Sequence, residues 1–412
     1  MSKTPQELYQ EREKRVMNAI ALKKPDRVPI LAMFGSFAAQ YAGITHEEEM
    51  NNLGKHFEAN WKTVMDFQPE MASPSLFLGP LEPLDFKQLK WAGHGLPSNV
   101  SFQFVEGEYM KEDEYDAFLF DPSDFMVRTY WPRIFGKLRV FGSLPPLHGI
   151  ISYYMGMQMG FMTFGLPGAV EALEALRKAG EETVKFFNAF MAYLKRLEEA
   201  GFPLFIGAGT QTPFDTLGDF FRGTRGLMLD MYRRQDKVIE ACKKLLPIML
   251  EGAVTAAKMS GNPRVFIPLH KGQEGFMSIE QYKKFYWPTF RDLMIALIDE
   301  GLVPIVLLEG NYSSRLDIIK DIPEGKVCYW FESMDMVKAK EILGGKVCIM
   351  GNVPMSLLVG GTPDQVRAYC KNLIDTVGKD GGYIMSAAAL MDGAKPENVK
   401  AMFEFTRGYG VH

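Results

Sequence analysis

From about residue 169 onward, short apolar runs alternate with charged stretches of helical length, and this alternation restricts the fold more than any other feature of the chain. The runs cover residues 203–206, 264–269, 303–308, 327–331, 347–350 and 382–385, and stretches of helical character at 278–299, 334–343, 363–377 and 396–407 lie among them. Strands that are apolar throughout are covered on both faces, and connections of this length return the chain parallel to the preceding strand. The pattern predicts parallel β/α units, and six of them with one more near the start predict an α/β fold of the closed (β/α)8 TIM barrel kind. Helix starts agree with it. Thr362-Pro363-Asp364 offers an N-cap followed by Pro at the first helical position, and Ser278 to Gln281 has the spacing of a capping box.

Before this region the sequence predicts a helix over residues 5–22 and a first strand over 27–31. Between about residues 60 and 168 the prolines at 74, 80, 83, 97, 122, 132, 145 and 146 break any long element, so an irregular inserted lid is expected. Within it, residues 101–109 alternate enough for a strand and 111–118 suit a short helix. No repeat or low-complexity linker divides the chain. The expectation is one domain over residues 1–412, with an N-terminal helical extension and an insertion at about 60–168.

Composition removes several classes. A formal net charge of -4 and the lack of a basic run interleaved with aromatics argue against nucleic acid as the main partner. The N-terminus is polar, and no run of about 18 apolar residues follows, so no membrane association and a cytoplasmic location are expected. The cysteines at 242, 328, 348 and 370 form no Cys-x-x-Cys pair, and Cys328 and Cys348 sit in apolar runs as core residues would.

Three of the apolar runs end on groups that chemistry can use. Residues 303–308 end on Glu309, residues 264–269 on His270, and residues 327–331 on Glu332. A carboxylate beside an apolar strand needs a partner or a ligand. On neighbouring parallel strands the three would converge at one end of the barrel as a metal-ligand set or an acid/base set. For Glu309 the competing reading is an ion pair with Arg222, Arg225 or Arg315. Gln211 and Asp215 follow another apolar run and could read substrate polar groups, or act only as turn and cap residues. Asn311 and Asn352, just past strand ends, are further substrate-contact candidates. Tyr153, Tyr154 and Met157 lie in a run of aromatics and methionines suited to a flat aromatic substrate, or to a helix packed in the core.

The chain resembles the uroporphyrinogen decarboxylase superfamily. The resemblance lies in the opening from Glu11 through Lys24-Pro25-Asp26-Arg27-Val28-Pro29, in Phe214 to Gly223, in Phe276-Met277-Ser278 through Trp287-Pro288, and in Met350 to Val353 leading to Thr362-Pro363. It spans nearly the whole length, weakest from about 60 to 170, and implies a barrel with its site at the carboxyl ends of the strands. The superfamily holds both porphyrinogen decarboxylases and corrinoid- or thiol-linked methyltransferases. The decarboxylases hold their polycarboxylate substrate on an arginine-rich loop after the first strand. Here that loop, residues 32–38, has no cation, and Phe34 sits in it as a substrate-facing candidate.

The thiol-alkylating zinc enzymes of the superfamily carry a His-x-Cys pair where this chain reads Leu307-Leu308-Glu309, and a later cysteine where it reads Ser386 to Leu390. Neither cysteine is present. The resemblance then implies zinc on His270, Glu309 and Glu332, a harder set that suits polarisation of an ether oxygen. The expected function is that of an O-demethylase methyltransferase, moving a methyl group from a methoxylated aromatic to Co(I) of a corrinoid on a separate protein. No Asp-x-His-x-x-Gly cobalamin-ligating sequence occurs in the chain itself. Alternatives are a decarboxylase or lyase of a small aromatic acid using Glu309 and His270 as acid and base, and a barrel that only docks a corrinoid protein. A homodimer is left open.

Overall fold

A computed structural model describes residues 3–146, 148 and 153–411. Its centre is a parallel sheet of six strands in sequence order: Ala208–Gly209, Arg264–Leu269, Val303–Leu308, Cys328–Phe331, Cys348–Met350 and Tyr383–Ile384. The third, fourth and fifth strands carry almost nothing but buried side chains, as a sheet covered on both faces requires. Register is continuous, with Arg264 opposite Val303 and Leu308 opposite Phe331. All three strands that were expected to deliver His270, Glu309 and Glu332 are therefore adjacent and parallel, and those residues follow their carboxyl ends.

Segments earlier in the chain continue the sheet by single bridges. Ile30 pairs parallel with Met385, and the Leu31 N–H donates to the Met385 carbonyl at 3.0 Å. Glu70 N–H donates to the Ile30 carbonyl at 3.0 Å, and Ala72 pairs parallel with Leu204. The run at 203–206 was expected to be a strand, but the regular ladder begins only at Ala208. Pro203 has no N–H to give, and the Arg264 guanidinium takes the Leu204 and Phe205 carbonyls at 2.8 and 2.7 Å, so these groups are satisfied by a side chain.

The helices start where their sequences say. Thr4 caps Pro5–Ile20 through a capping box with Glu7, and Ser278 with Gln281 and Thr362 with Gln365 form two more. The first helix ends at Ile20, two residues short of the expected limit. Arg15, buried on that helix, donates to Asp26 at 2.8 and 2.7 Å and to Glu70 at 2.6 Å, tying the Pro-Asp-Arg turn to the helix before it.

The helix Leu53–Phe67 leads into the insertion, which contains short helices and a three-stranded sheet of Leu89–Ala92, Gly95–Leu96 and Phe102–Phe104. The strand expected over 101–109 is thus shorter, and the helix expected over 111–118 is Tyr115–Phe120. The segment is tied to the helical segment Leu217–Arg222, where Tyr109 and Met110 N–H groups both donate to the Phe221 carbonyl, at 2.8 and 2.7 Å. All four cysteines are buried. Among the described residues no helix is long and apolar enough to cross a membrane.

Candidate active site

The site is built from the helical segment after Ala208–Gly209 and from the ends of the next two strands. Thr212 caps a helix beginning at Pro213, which passes at Leu217–Arg222 into a wider π-helical turn. Such bulges re-aim side chains and recur at functional sites. Asp215 and Asp219, four residues apart, face the turn at His270 and Lys271 from this element.

Asp215 is fully buried and holds that turn by its backbone. Its carboxylate accepts from the His270 N–H at 3.2 Å, the Lys271 N–H at 2.8 Å and the Tyr286 hydroxyl at 2.6 Å. Burial pushes its pKa up, and the neighbouring negative charge of Asp219 adds to this. Asp219 instead binds side chains. It accepts from His270 Nδ1 at 2.6 Å and is the partner of the Lys271 ammonium. Burial alone would raise the Asp219 pKa, but the His270 hydrogen bond and the Lys271 charge outweigh it and hold the group below its usual range.

Two glycines make room for this packing. A Cβ at Gly218 would sit 2.7 Å from the Lys271 stem, and one at Gly272 would sit 2.8 Å from the Tyr286 ring.

The other imidazole nitrogen, Nε2, lies 3.8 Å from Glu309 Oε1. His270 is thus flanked by two carboxylates. Burial works against its charged form, yet the Asp219 hydrogen bond and the charges of Asp215, Asp219 and Glu309 push its pKa up to about 9. Burial raises the Glu309 pKa, the positive charge of His270 opposes this, and Glu332, Asp215 and Asp219 reinforce it. With Asp219 ionised and His270 protonated near neutral pH, the cluster holds a proton at Nε2, facing Glu309 and solvent; the His270 side chain is one-third exposed. That is an acid-base arrangement in which one carboxylate orients the imidazole and the other nitrogen stays free.

The other candidates divide clearly. Gln211 Nε2 stands 3.5 Å from Asp219 Oδ2, at the edge of the cluster. Glu332 reaches the same strand-end region, but its Oε2 accepts from the Gly310 N–H at 2.6 Å. Asn352 is buried, donating to the Met334 carbonyl at 3.0 Å and accepting from the Tyr369 hydroxyl at 3.2 Å, so it braces the loop after Glu332. Asn311 accepts from Ser313 N–H at 2.9 Å as a turn residue. Phe34 packs in the core against Phe37, Phe67 and Phe403, with ring centroids about 6 Å apart, because the loop at 32–38 turns its apolar side chains inward.

Tyr153, Tyr154 and Met157 are 80, 72 and 42% exposed, and Tyr154–Gly160 has no buried residue, so the run is not a helix packed in the core. The arginines proposed as partners of Glu309 are engaged elsewhere or point away. Arg222 pairs with Asp230 and Glu108 at 2.6 Å each, Arg315 donates to the Met277 carbonyl at 2.6 Å, and Arg225 is exposed.

For a metal, two donors face each other and the third does not join them. His270 Nε2 and Glu309 Oε1 could share an ion, but Glu332 is turned to Gly310. No group of three or more His, Cys, Asp or Glu side chains among the described residues converges as a metal site.

Asp219 and Lys271 were not picked out from the sequence. The signal was present in both cases: Asp219 lies one helical turn beyond Asp215, and Lys271 directly follows the strand-end histidine.

Fold and site together define an α/β protein with titratable side chains gathered at the carboxyl ends of parallel strands, where enzymes of this architecture place their chemistry. The family model for uroporphyrinogen decarboxylase (URO-D) matches residues 154–409, and the chain belongs to this family. Uroporphyrinogen decarboxylases from Chlorobium phaeovibrioides and Chlorobium luteolum are each 24% identical to it, over 137 and 136 residues. Each match covers 32% of this chain and 38% of the relative. A solved methyltransferase from Methanosarcina mazei shares the fold with a TM-score of 0.63, covering 97% of this chain and 98% of that one at 14% identity.

Proposed function

We propose that this chain is the methyl-abstracting component of a corrinoid-dependent O-demethylase, working on a (β/α)8 barrel closed through the Ile30–Met385 and Ala72–Leu204 bridges. The carrying observation is the Asp219–His270–Glu309 array, with a proton held at His270 Nε2 beside open solvent. The whole-length likeness to a methyltransferase supports this reading. So does the loop at residues 32–38, which has no Lys or Arg to hold a polycarboxylated porphyrinogen.

In this reading the methyl carbon of a methoxylated aromatic is attacked by the reduced corrinoid that a separate protein brings to the open face. The carbon–oxygen bond breaks with its electron pair on oxygen. His270 Nε2–H stands where it can protonate the departing phenolate, and Asp219 stabilises the imidazolium before the transfer and keeps the ring oriented. Glu309, its pKa raised, is a second proton carrier, and Gln211 lies at the same edge for a substrate oxygen.

An apolar cavity of about 180 Å³ just past the Ile30 bridge, lined by Met33, Met50, Leu76, Phe102 and Leu390, is a fitting place for an aryl ring. Its polar lining includes Glu49 and Asp392 and no Lys or Arg, which favours an uncharged ring over a carboxylated one.

A second reading places zinc at His270 Nε2 and Glu309. Asp219 on Nδ1 favours it, because metal-bound histidines commonly donate their other N–H to a carboxylate. When bound, the ion would polarise the ether oxygen; the third protein donor is not in place in this fold.

The deciding experiment offers a panel of methoxylated aromatics to the protein with a reduced corrinoid protein and follows the cobalt spectrum. A substrate-dependent spectral change, lost in His270→Ala, supports methyl transfer. Carbon dioxide release from an aromatic acid with no change at cobalt would replace the proposal by lyase chemistry. Corrinoid-protein binding without turnover would replace it by docking alone.

A further inference from the structure

Two loops far apart in the chain meet at the cavity beside Met33. One, residues 32–38, follows the Ile30 bridge, and the other leads from the last strand to the helix Pro396–Tyr409. Asp392 joins them, its Oδ1 accepting from the Ser36 N–H at 2.8 Å and from the Ser36 hydroxyl at 2.6 Å. Gln40 Nε2 adds a donation to the Ala394 carbonyl at 3.3 Å. Asp392 is thus held by one oxygen, and among the described residues nothing pairs with Oδ2. The side chain is exposed and lines the cavity.

A second carboxylate lines the same cavity, but its oxygens are covered. Glu49 is fully buried, with Oε1 accepting from the Ser75 hydroxyl at 2.6 Å. Its Oε2 has no hydrogen-bond partner and is buried 4.0 Å from His46 Nδ1. Met33, Met50, Leu76 and Phe102 supply apolar walls. An engineered apolar cavity of about 150 Å³ holds benzene. At about 180 Å³ this one has room for a single ring with one or two small substituents.

Asp392 decides what such a ring must carry. An ionised carboxylate only accepts hydrogen bonds, and a ligand that strips water from it without donating leaves the charge unpaired. A carboxylated ring would meet Asp392 and Glu49 as like charges. We propose that the cavity is the ring subsite for a phenol whose hydroxyl donates to Asp392 Oδ2, so that Asp392 selects methoxylated rings that also bear a free hydroxyl. The inference rests on the O-demethylase reading for the methoxy group alone. Asp392 and His270 both follow the carboxyl ends of strands in one parallel sheet, so a ring anchored by its hydroxyl lies at the end of the sheet that carries His270.

Isothermal titration calorimetry at pH 7, with no corrinoid present, tests the subsite apart from methyl transfer. The ligands are 4-methoxyphenol and 4-methylanisole, which has a methyl group of similar size in place of the hydroxyl. The parent should bind the phenol at least about tenfold more tightly, as a hydrogen bond to a charged group provides. Asp392→Asn keeps an acceptor for Ser36 and puts an amide donor where Oδ2 was, and it should bind the two ligands within about threefold of each other. Leu76→Trp, at a position 44% exposed on the rim, should fill the cavity and lose both ligands. No binding by the parent, equal binding of the two ligands, a preference retained in Asp392→Asn, or parental binding by Leu76→Trp would overturn the proposal. Tighter binding of 4-methoxybenzylamine than of 4-methoxyphenol would also overturn it, by making the recognised group an ammonium. A failure of the cobalt chemistry leaves all these outcomes unchanged, so the subsite and the methyl-transfer reading fall separately.

Discussion

His270 Nδ1 lies 2.6 Å from Asp219 Oδ2, and this contact sets both the orientation and the charge of the imidazole whose other nitrogen faces Glu309. Replacing Asp219 by Asn keeps the shape and removes the charge. The expected outcome is a His270 titration midpoint near 9 in the parent, followed by NMR, that falls toward the ordinary value near 6.5 in the variant. The sign follows from linkage. A raised histidine pKa stabilises the fold fully below about 6.5, and that contribution is lost as pH rises through about 9. The stability difference between parent and Asp219→Asn should therefore shrink between these limits; a midpoint that does not move would mean that Asp219 is not the source of the shift.

Glu309 and His270 separate the two chemical readings. If the imidazolium is the acid, His270→Ala should lower methyl transfer by about 10²–10⁴-fold, and the parent's rate should decline above pH 9. If zinc is resident, protein purified without chelator should contain about one ion per chain, absent from both His270→Ala and Glu309→Ala. A metal-free parent that stays folded and active would remove the zinc reading, while full activity in His270→Ala would remove the acid.

Asp215 has a structural task, because it holds the backbone on both sides of the His270–Lys271 peptide. Tyr286→Phe deletes one of its three hydrogen bonds without changing the packing volume. The expected cost is about 1–3 kcal/mol in unfolding free energy. A variant as stable as the parent in urea would show that the Tyr286 hydroxyl is dispensable to Asp215.

Much of this site was legible because strand ends were. Apolar runs at 264–269, 303–308 and 327–331 become neighbouring parallel strands, and the first polar residue after each falls at one end of the sheet. What the sequence could not carry was side-chain direction. Glu332 arrives in the right place and is drawn to the Gly310 N–H, and Asn311 and Asn352 are spent on their own loops. Asp219 lies one turn beyond Asp215, but the sequence does not show that the segment from Leu217 to Arg222 runs as a π-helical turn carrying its carboxylate to His270 and Lys271. The aromatic and methionine run beginning at Tyr153 faces outward rather than into the core, and its sequence alone does not distinguish an exposed apolar run from a buried one.

Glu49 gives the clearest pH signature away from the acid-base cluster. It is fully buried beside the apolar cavity, its Oε1 accepting from the Ser75 hydroxyl at 2.6 Å while Oε2 has no hydrogen-bond partner and lies 4.0 Å from His46 Nδ1. Burial raises its pKa to about 7; the Ser75 hydrogen bond opposes this, and the negative charge of Asp392 adds to it. Here the sign is opposite to a salt-bridged carboxylate. The folded state binds a proton that the unfolded state has released, so stability falls as pH rises from about 4.5 to about 7 and stays lower above that. Burial also holds the neighbouring buried His56 down to about 4, and this group costs stability in the other direction, as pH falls below its unfolded value near 6.5. Glu49→Gln keeps an acceptor for Ser75 and removes only the first effect. At pH 8 it should stabilise the protein by about 2–3 kcal/mol, and at pH 4.5 by close to nothing. Equal stability of parent and variant at both pH values would mean that Glu49 ionises in the folded protein without penalty.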